Sequence, residues 1–341
     1  MKYNQLGNTG VLVSELCLGA MTFGGRGYWK AVGEQPQDLV NDIIRESIEQ
    51  GINFIDTANA YSEGLSEIML GKALRDLEIP RQNVVIATKV RLRMGPGANQ
   101  VGLSRLHIMD SVDDSLKRLN LDHIDLLYIH GVDPLTPLAE TMRGIEDVVR
   151  AGKVRYLGIS NHPAWQVVKA NDIAEKMGWT RFVALQNYYS LASRDIEREI
   201  VPMAESEGMA LMPWSPLAGG FLSGKFTREN QVAGDSRRDT FDFPPVNREK
   251  AYDIIDVLID IGKKHNTSAA RVALAWMRAK PFVTSIIIGA KTMPQLKDNV
   301  ASTQLTLTEE ELAQLDAVSA LTPEYPGWMM ERQLQERIIS D

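Results

Sequence analysis

The sequence predicts a (β/α)8 TIM barrel, and three observations carry that expectation. Eight short apolar runs alternate with segments of helical periodicity along most of the 341 residues. The runs are apolar on both faces, as strands of a fully covered parallel sheet must be. Asp56, Lys89 and His130 stand at the ends of consecutive runs, separated each time by about one strand-helix-strand module. Eight strands without a sheet-edge signal favour a closed barrel over an open doubly wound sheet. Such a barrel needs about 250 residues plus insertions, so the chain reads as a single domain, 1–341, with 322–341 as a C-terminal tail.

Taken in order, residues 1–14 read as a β-hairpin cap: Tyr3 and Leu6, a Gly-Asn-Thr-Gly turn, then Val11 and Val13 in alternation. Leu16–Gly19 is the first barrel strand. A helix near 38–50 carries Leu39, Ile43, Ile44 and Ile48 on one face and ends at Gly51. Strand two is Asn53–Thr57. Ser66 and Glu67 open a helix that Pro80 stops. Strand three is Val84–Thr88, followed by a Gly- and Arg-rich loop and a helix ending SLKRLNLD. Strand four is Ile124–Ile129. The second half repeats the alternation: helix 137–151, strand 154–159, helix 163–177, strand 182–186, helix 195–207 and strand seven at 209–213. A long polar insertion, about 215–246, then holds Gly219, Gly220, Gly224 and the pair Arg237 and Arg238. Long loops without their own secondary structure are commonly binding loops. Helices 248–265 and 268–279, strand eight at Thr284–Ile288, a helix near 294–301 and one capped by Thr308 complete the pattern. The tail shows no clear period.

Composition narrows the partners. A 44% hydrophobic and 24% charged chain can bury a large core, and a net charge of −7 with no basic stripe argues against nucleic acid or an anionic membrane. Cys17 is the single cysteine, so no intramolecular disulfide can form; it reads as core packing in a protein of a reducing compartment. The N-terminus lacks an apolar leader and no 18-residue apolar run exists, from which a cytoplasmic location without a membrane span is expected. No Cys/His spacing suggests a metal.

The chemistry lies at the strand ends. Tyr61 follows Asp56 on the loop after strand two. A phenol is a poor acid at neutral pH unless a cation favours its anion, and Lys89 can supply that cation. A buried lysine needs a counter-ion, for which Asp56 is the candidate. His130 then positions a substrate oxygen. The set suits reduction of a carbonyl or oxidation of an alcohol, with hydride from a cofactor, since no side chain can give it. Singly, each residue has a plainer reading: Asp56 as a turn cap, Tyr61 as a half-buried aromatic, Lys89 as a solvated strand end. Four at module spacing weigh against that. His107, His123, His162 and His265 lack such company and read as core or surface histidines. GGFLSGK, residues 219–225, resembles a phosphate-binding P-loop, but Phe226 stands where that loop needs Ser or Thr. Its glycines and Lys225 can still wrap a pyrophosphate. Lys291 and Thr292, where strand eight runs into a helix, suit a phosphate at a helix N-terminus.

The stretches LCLGAMTFG, GINFIDTANAYSEG, SLKRLNLDHIDLLYIH, GKVRYLGISN, WSPLAGGFLSGK and IGAKTMPQLKDN, in that order, resemble the aldo-keto reductase family over nearly the whole chain. The resemblance implies an oxidoreductase of the alcohol dehydrogenase or carbonyl reductase type (EC 1.1.1.-). Asp56, Tyr61, Lys89 and His130 would form its catalytic tetrad, with Tyr61 as general acid/base. It further implies that Ser160, Asn161 and Gln186 hold the nicotinamide amide, that Trp214 stacks on its ring, and that Gly19 and Met21 border the cofactor. Ser215, Leu217, Gly219 and Lys225 resemble the loop over the pyrophosphate. Gly289, Lys291, Thr292, Gln295 and Asn299 resemble the adenosine and 2′-phosphate site, which implies NADP(H). Gln295 replaces an arginine of many relatives, so that preference rests largely on Lys291 and NAD(H) stays a candidate. His123 replaces a more usual tyrosine. The PLAGGFLSGK segment places the chain nearer the branch of the potassium-channel beta subunits and bacterial general aldo/keto reductases. That likeness carries an alternative: a cofactor-binding, redox-sensing or regulatory subunit with very slow turnover. The intact tetrad favours the enzyme. Its partner is a small carbonyl or alcohol, in a pocket expected from Phe23, Tyr28, Trp29, Arg91, Tyr325 and Trp328.

Overall fold

The computed structural model describes residues 1–231, 238 and 241–337; Arg237 and the last four residues of the tail lie outside that set. An antiparallel hairpin comes first, β1 (Tyr3–Gln5) with β2 (Leu12–Ser14). Eight parallel strands follow: β3 (Leu16–Gly19), β4 (Phe54–Asp56), β5 (Val85–Val90), β6 (Ile124–Ile129), β7 (Val154–Ser160), β8 (Phe182–Tyr188), β9 (Ala210–Trp214) and β10 (Ile286–Ile288). Their order around the sheet is β10-β3-β4-β5-β6-β7-β8-β9. The remaining seam is drawn together by Thr284, whose N–H donates to the Leu211 carbonyl at 2.9 Å while its hydroxyl accepts from the Leu211 N–H at 3.2 Å. The barrel and the hairpin are as the sequence predicts.

Helices separate the strands: α1 (Gln37–Glu49), α2 (Leu65–Asp76), α3 (Arg105–Leu119), α4 (Leu138–Arg150), α5 (Ala164–Met177), α6 (Ile200–Glu207), α7 (Arg248–Lys264), α8 (Ala269–Arg278), α9 (Met293–Ala301), α10 (Glu309–Val318) and α11 (Gly327–Gln335). None among the described residues is long and apolar enough to cross a membrane. Three expectations change. The helix expected over 195–207 is a 3-10 turn at Asp195–Glu197 and then α6, which starts at Ile200. Pro202 thereby falls in a first turn, where a missing N–H costs nothing; one continuous helix would have put it in the interior. The insertion after β9 is not without structure, since Ala218–Ser223 forms 3-10 turns with Gly219 and Gly220 at positive φ. The tail, though its sequence shows no clear period, holds α11.

Two cores result from the alternation of strand side chains. Outward-facing residues such as Leu18, Ile55, Ile86, Leu127, Ile159 and Leu211 pack against the helices. Cys17, Phe54, Ala87, Leu126, Tyr128, Ala184, Ala210, Met212 and Ile287 fill the lumen, with Leu6 and Val13 of the hairpin closing one end. The hairpin is tied there by Asn4, whose amide donates to the Thr284 carbonyl at 2.7 Å, and by the Asn8 N–H to the Gly208 carbonyl at 3.0 Å. Cys17 is packed in that lumen, as expected. With one mouth plugged, the open end is the carboxyl end of the strands.

Candidate active site

Strand β4 delivers Asp56 to that rim, and Gly19 of β3 sits beside it in register. The chain then turns through Ala58 and Ala60 into a tight 3-10 segment, Tyr61–Gly64, with Ser62 and Glu63 at φ of 50° and 57°. That turn folds Tyr61 back over the barrel. Its hydroxyl comes 3.3 Å from the Lys89 Nζ, which also donates to the Thr57 carbonyl at 2.8 Å and is ion-paired with Asp56. Asp56 accepts a further bond on its other oxygen, from the Gln186 amide at 2.9 Å. Gln186 stands on β8, four strands round from β4, so this bond crosses the lumen.

Both members of the ion pair are buried. Burial alone would pull the Lys89 ammonium down, but Asp56 and Tyr61 beside it outweigh that and hold it above the ordinary lysine range. Burial pushes the Asp56 carboxyl up, against Lys89 and Gln186, which favour its anion. With Lys89 held charged, a fixed cation faces the phenol. The His130 imidazole lies edge-on to the Tyr61 ring, centroids 5.8 Å apart. Burial, then Lys89 and Arg91, keep it far below the usual histidine range, so it is a neutral ring at pH 7. Its Nδ1 is buried without a hydrogen-bond partner among the described residues. The rim therefore presents a cation-backed phenol and a neutral imidazole to one point.

Beside them lies a shelf of amides. The Ser160 hydroxyl donates to the Gln186 carbonyl at 2.8 Å, and Asn161, at φ 55°, donates to Ser160 Oγ and to the His130 carbonyl at 2.9 and 3.1 Å. Asn161 Oδ1 in turn accepts from the Trp214 indole at 3.0 Å. Ser160, Asn161, Gln186 and Trp214 are thus one hydrogen-bonded unit next to His130. Beyond it, Ser215 Oγ accepts from the Gly219 N–H at 2.8 Å, and the Leu217 carbonyl accepts from Gly220 and Leu222. Phe221 and Phe226, stacked at 4.9 Å, anchor this knot, while Lys225 is exposed. Phe226, the residue that excludes a P-loop, is a buried anchor. Lys291, Thr292 and Gln295 gather at the start of α9: Thr292 caps it, Gln295 Oε1 accepts from the Lys291 N–H at 2.8 Å, and Asn299 donates to the Gly289 carbonyl at 3.1 Å. Met21 follows β3 in the first turn. The positive end of α9 and the lysines Lys225 and Lys291 are groups of the kind that would suit the phosphates of a nucleotide.

An arc of rings borders the mouth. Trp29 meets Tyr61 at 5.0 Å, Tyr28 meets Trp29 at 5.7 Å and Phe241 at 5.2 Å, Phe241 meets Phe243 at 5.6 Å, and Phe243 stacks on Trp214 at 5.8 Å. Sequence reasoning missed Phe241 and Phe243. The FDFPP pattern, apolar rings inside a polar insertion, was the available signal. Phe23 is fully buried in the outer core, so it supports the first loop from behind rather than facing the mouth. Tyr325 and Trp328 pair with each other in exposed positions, and the structure does not bring them into the arc. Arg91 stands at the end of β5, close to His130.

Fold and rim together point to a class: (β/α)8 barrel proteins that gather ionisable side chains at the carboxyl ends of the strands. Comparison with known proteins names it, since the model of the Aldo/keto reductase family matches residues 15–320 and the chain belongs to that family. The family generally uses NAD(P)H and acts on small carbonyl compounds. The chain is 37% identical to a Schizosaccharomyces pombe protein provisionally named an aryl-alcohol dehydrogenase, over 92% of this chain and 94% of that one. It is 37% identical to the versiconal hemiacetal acetate reductase of Aspergillus parasiticus, over 96% and 99%. It is also 37% identical to the norsolorinic acid reductase of Aspergillus flavus, over 94% and 81%.

Proposed function

We propose that the protein is an NADP(H)-dependent reductase of aromatic aldehydes and ketones, with Tyr61 as proton donor, acting as one domain with a C-terminal tail. The observation that carries the reading is the Tyr61 hydroxyl 3.3 Å from an ammonium that Asp56 keeps charged. That cation lowers the cost of the phenolate left after Tyr61 gives its proton to a carbonyl oxygen. His130, neutral, donates from one ring nitrogen to the same oxygen and turns the carbonyl toward the phenol. A nicotinamide, when bound, would supply the hydride. Ser160, Asn161 and Gln186 would hold its amide and Trp214 its ring, with Gly19 and Met21 alongside. Ser215, Leu217, Gly219 and Lys225 would hold the pyrophosphate, and Gly289, Lys291, Thr292, Gln295 and Asn299 the adenosine end.

The aromatic substrate class is supported by the ring arc over the mouth and by the aryl-alcohol name of one relative. Preference for NADPH over NADH is supported by Lys291 at the start of α9. The test is Tyr61→Phe. Turnover of benzaldehyde falls by at least about a hundredfold, the usual scale of lost acid catalysis, while NADPH still quenches protein fluorescence with its wild-type affinity. Turnover retained in Y61F sinks the reading.

A further inference from the structure

Arg91 carries a second polar device at the same rim. It is the first residue past β5 and holds φ at +143°, a region that residues with a side chain rarely take. Two sets of bonds keep it there. Its carbonyl accepts from the Gly102 N–H at 2.8 Å, and its Nε and Nη2 both donate to the Val132 carbonyl, at 3.1 and 2.9 Å. Val132 is two residues beyond His130, whose own N–H donates to the Val90 carbonyl at 2.9 Å. The guanidinium therefore bridges the ends of β5 and β6 alongside His130, near enough for its charge to depress that ring's basicity.

Arg91 is half-buried, yet among the described residues no carboxylate pairs with its guanidinium. Other half-buried arginines of the chain each have one: Arg81 with Asp125, Arg118 with Glu67, Arg194 with Glu197, Arg278 with Glu15. A half-buried guanidinium held by a single neutral carbonyl keeps donors available for an anion. The Nε/Nη2 edge is engaged by Val132, while Nη1 has no hydrogen bond among the described residues. The edge formed by Nη1 and the second Nη2 proton matches a carboxylate in fork geometry.

We infer that Arg91 is an anion anchor for the substrate, and that the carbonyl compounds this protein takes best carry a carboxylate or similar planar anion remote from the reacting carbonyl. The inference rests on the reductase reading of Tyr61 and extends it to the far end of the substrate. The pinned backbone and doubly held guanidinium make the anchor rigid, so docking the anion also orients the carbonyl toward the phenol.

The experiment compares kcat/KM for benzaldehyde, 4-carboxybenzaldehyde and methyl 4-formylbenzoate in the wild type, Arg91→Gln and Arg91→Lys. Chemistry alone favours the ester, whose ring is the more electron-poor, so a preference for the acid has to come from binding. The expected wild-type preference for acid over ester is about tenfold or more in kcat/KM and shrinks with added salt. In R91Q the ratio falls to one or below, and R91K retains part of it. Equal rates for acid and ester in the wild type overturn the inference, as does a ratio unchanged in R91Q. If all three substrates slow in parallel in R91Q, Arg91 acts through His130 and the anchor is likewise refuted. Turnover of benzaldehyde and the ester without preference for the acid leaves the reductase reading standing; no turnover of any of the three defeats both.

Discussion

At the residue scale the site depends on a charge that is expensive to keep. Lys89 is fully buried, and the Asp56 carboxylate, the Tyr61 hydroxyl and the Thr57 carbonyl offset the loss of its hydration, Asp56 alone with a full opposite charge. Asp56→Asn removes the counter-ion and leaves the ammonium uncompensated. Burial then dominates, the lysine pKa falls, and Tyr61 faces a neutral amine over more of the pH range. We expect D56N to lose about 3–5 kcal/mol of stability, the usual penalty for breaking a buried pair from one side, and to lose turnover by a hundredfold or more. Urea titration and kcat/KM at pH 7 check the two effects. A D56N protein as stable and as active as the wild type would show that the ion pair matters to neither.

At the element scale, strands β6 and β7 fit because one residue has no side chain. Tyr128 of β6 stands opposite Gly158 of β7, and a Cβ at 158 would lie 2.3 Å from the tyrosine ring. The ring fills the lumen below the crossing bond from Gln186 to Asp56, and it can do so only over a glycine. Gly158→Ala should cost about 1–3 kcal/mol by overpacking. Combining it with Tyr128→Leu, which clears the clash, should recover much of that loss. The double-mutant cycle in urea gives the coupling directly; additive losses would mean that ring and glycine do not depend on each other.

At the scale of the whole molecule, burial sets how stability follows pH. His107, His130 and His162 each have their basicity lowered, with desolvation the largest cause. Unfolded, they take up protons near the ordinary value of 6.5; folded, they do so only at lower pH. Below about 6.5 the unfolded state therefore binds more protons, and stability rises with pH through that window. Asp133, Glu146 and Glu311, where burial raises the pKa but hydrogen bonds to the carboxylate together outweigh it and depress it, add their loss only nearer pH 4. We expect urea-derived stability to be level from pH 7 to 8 and to decline steadily from 6.5 to 5. A flat profile down to pH 5 would show that these rings protonate as freely folded as unfolded.

How much of this was legible follows from what each feature depends on. The strand count, the hairpin and the rim position of Asp56, Tyr61, Lys89 and His130 depend on periodicity and on where apolar runs end, both properties of neighbours along the chain. So were the cap at Thr308 and the helix start at Thr292. By contrast, the Gln186 bond to Asp56, the approach of Phe241 to Tyr28 and the bonds of the Arg91 guanidinium to the Val132 carbonyl join residues far apart in sequence. The sequence by itself determined which groups reach the barrel rim, because a parallel crossover returns every strand end to one side. Only the tertiary structure decided which of them touch, since closure of the sheet and the folding back of its loops set distances that no local pattern encodes.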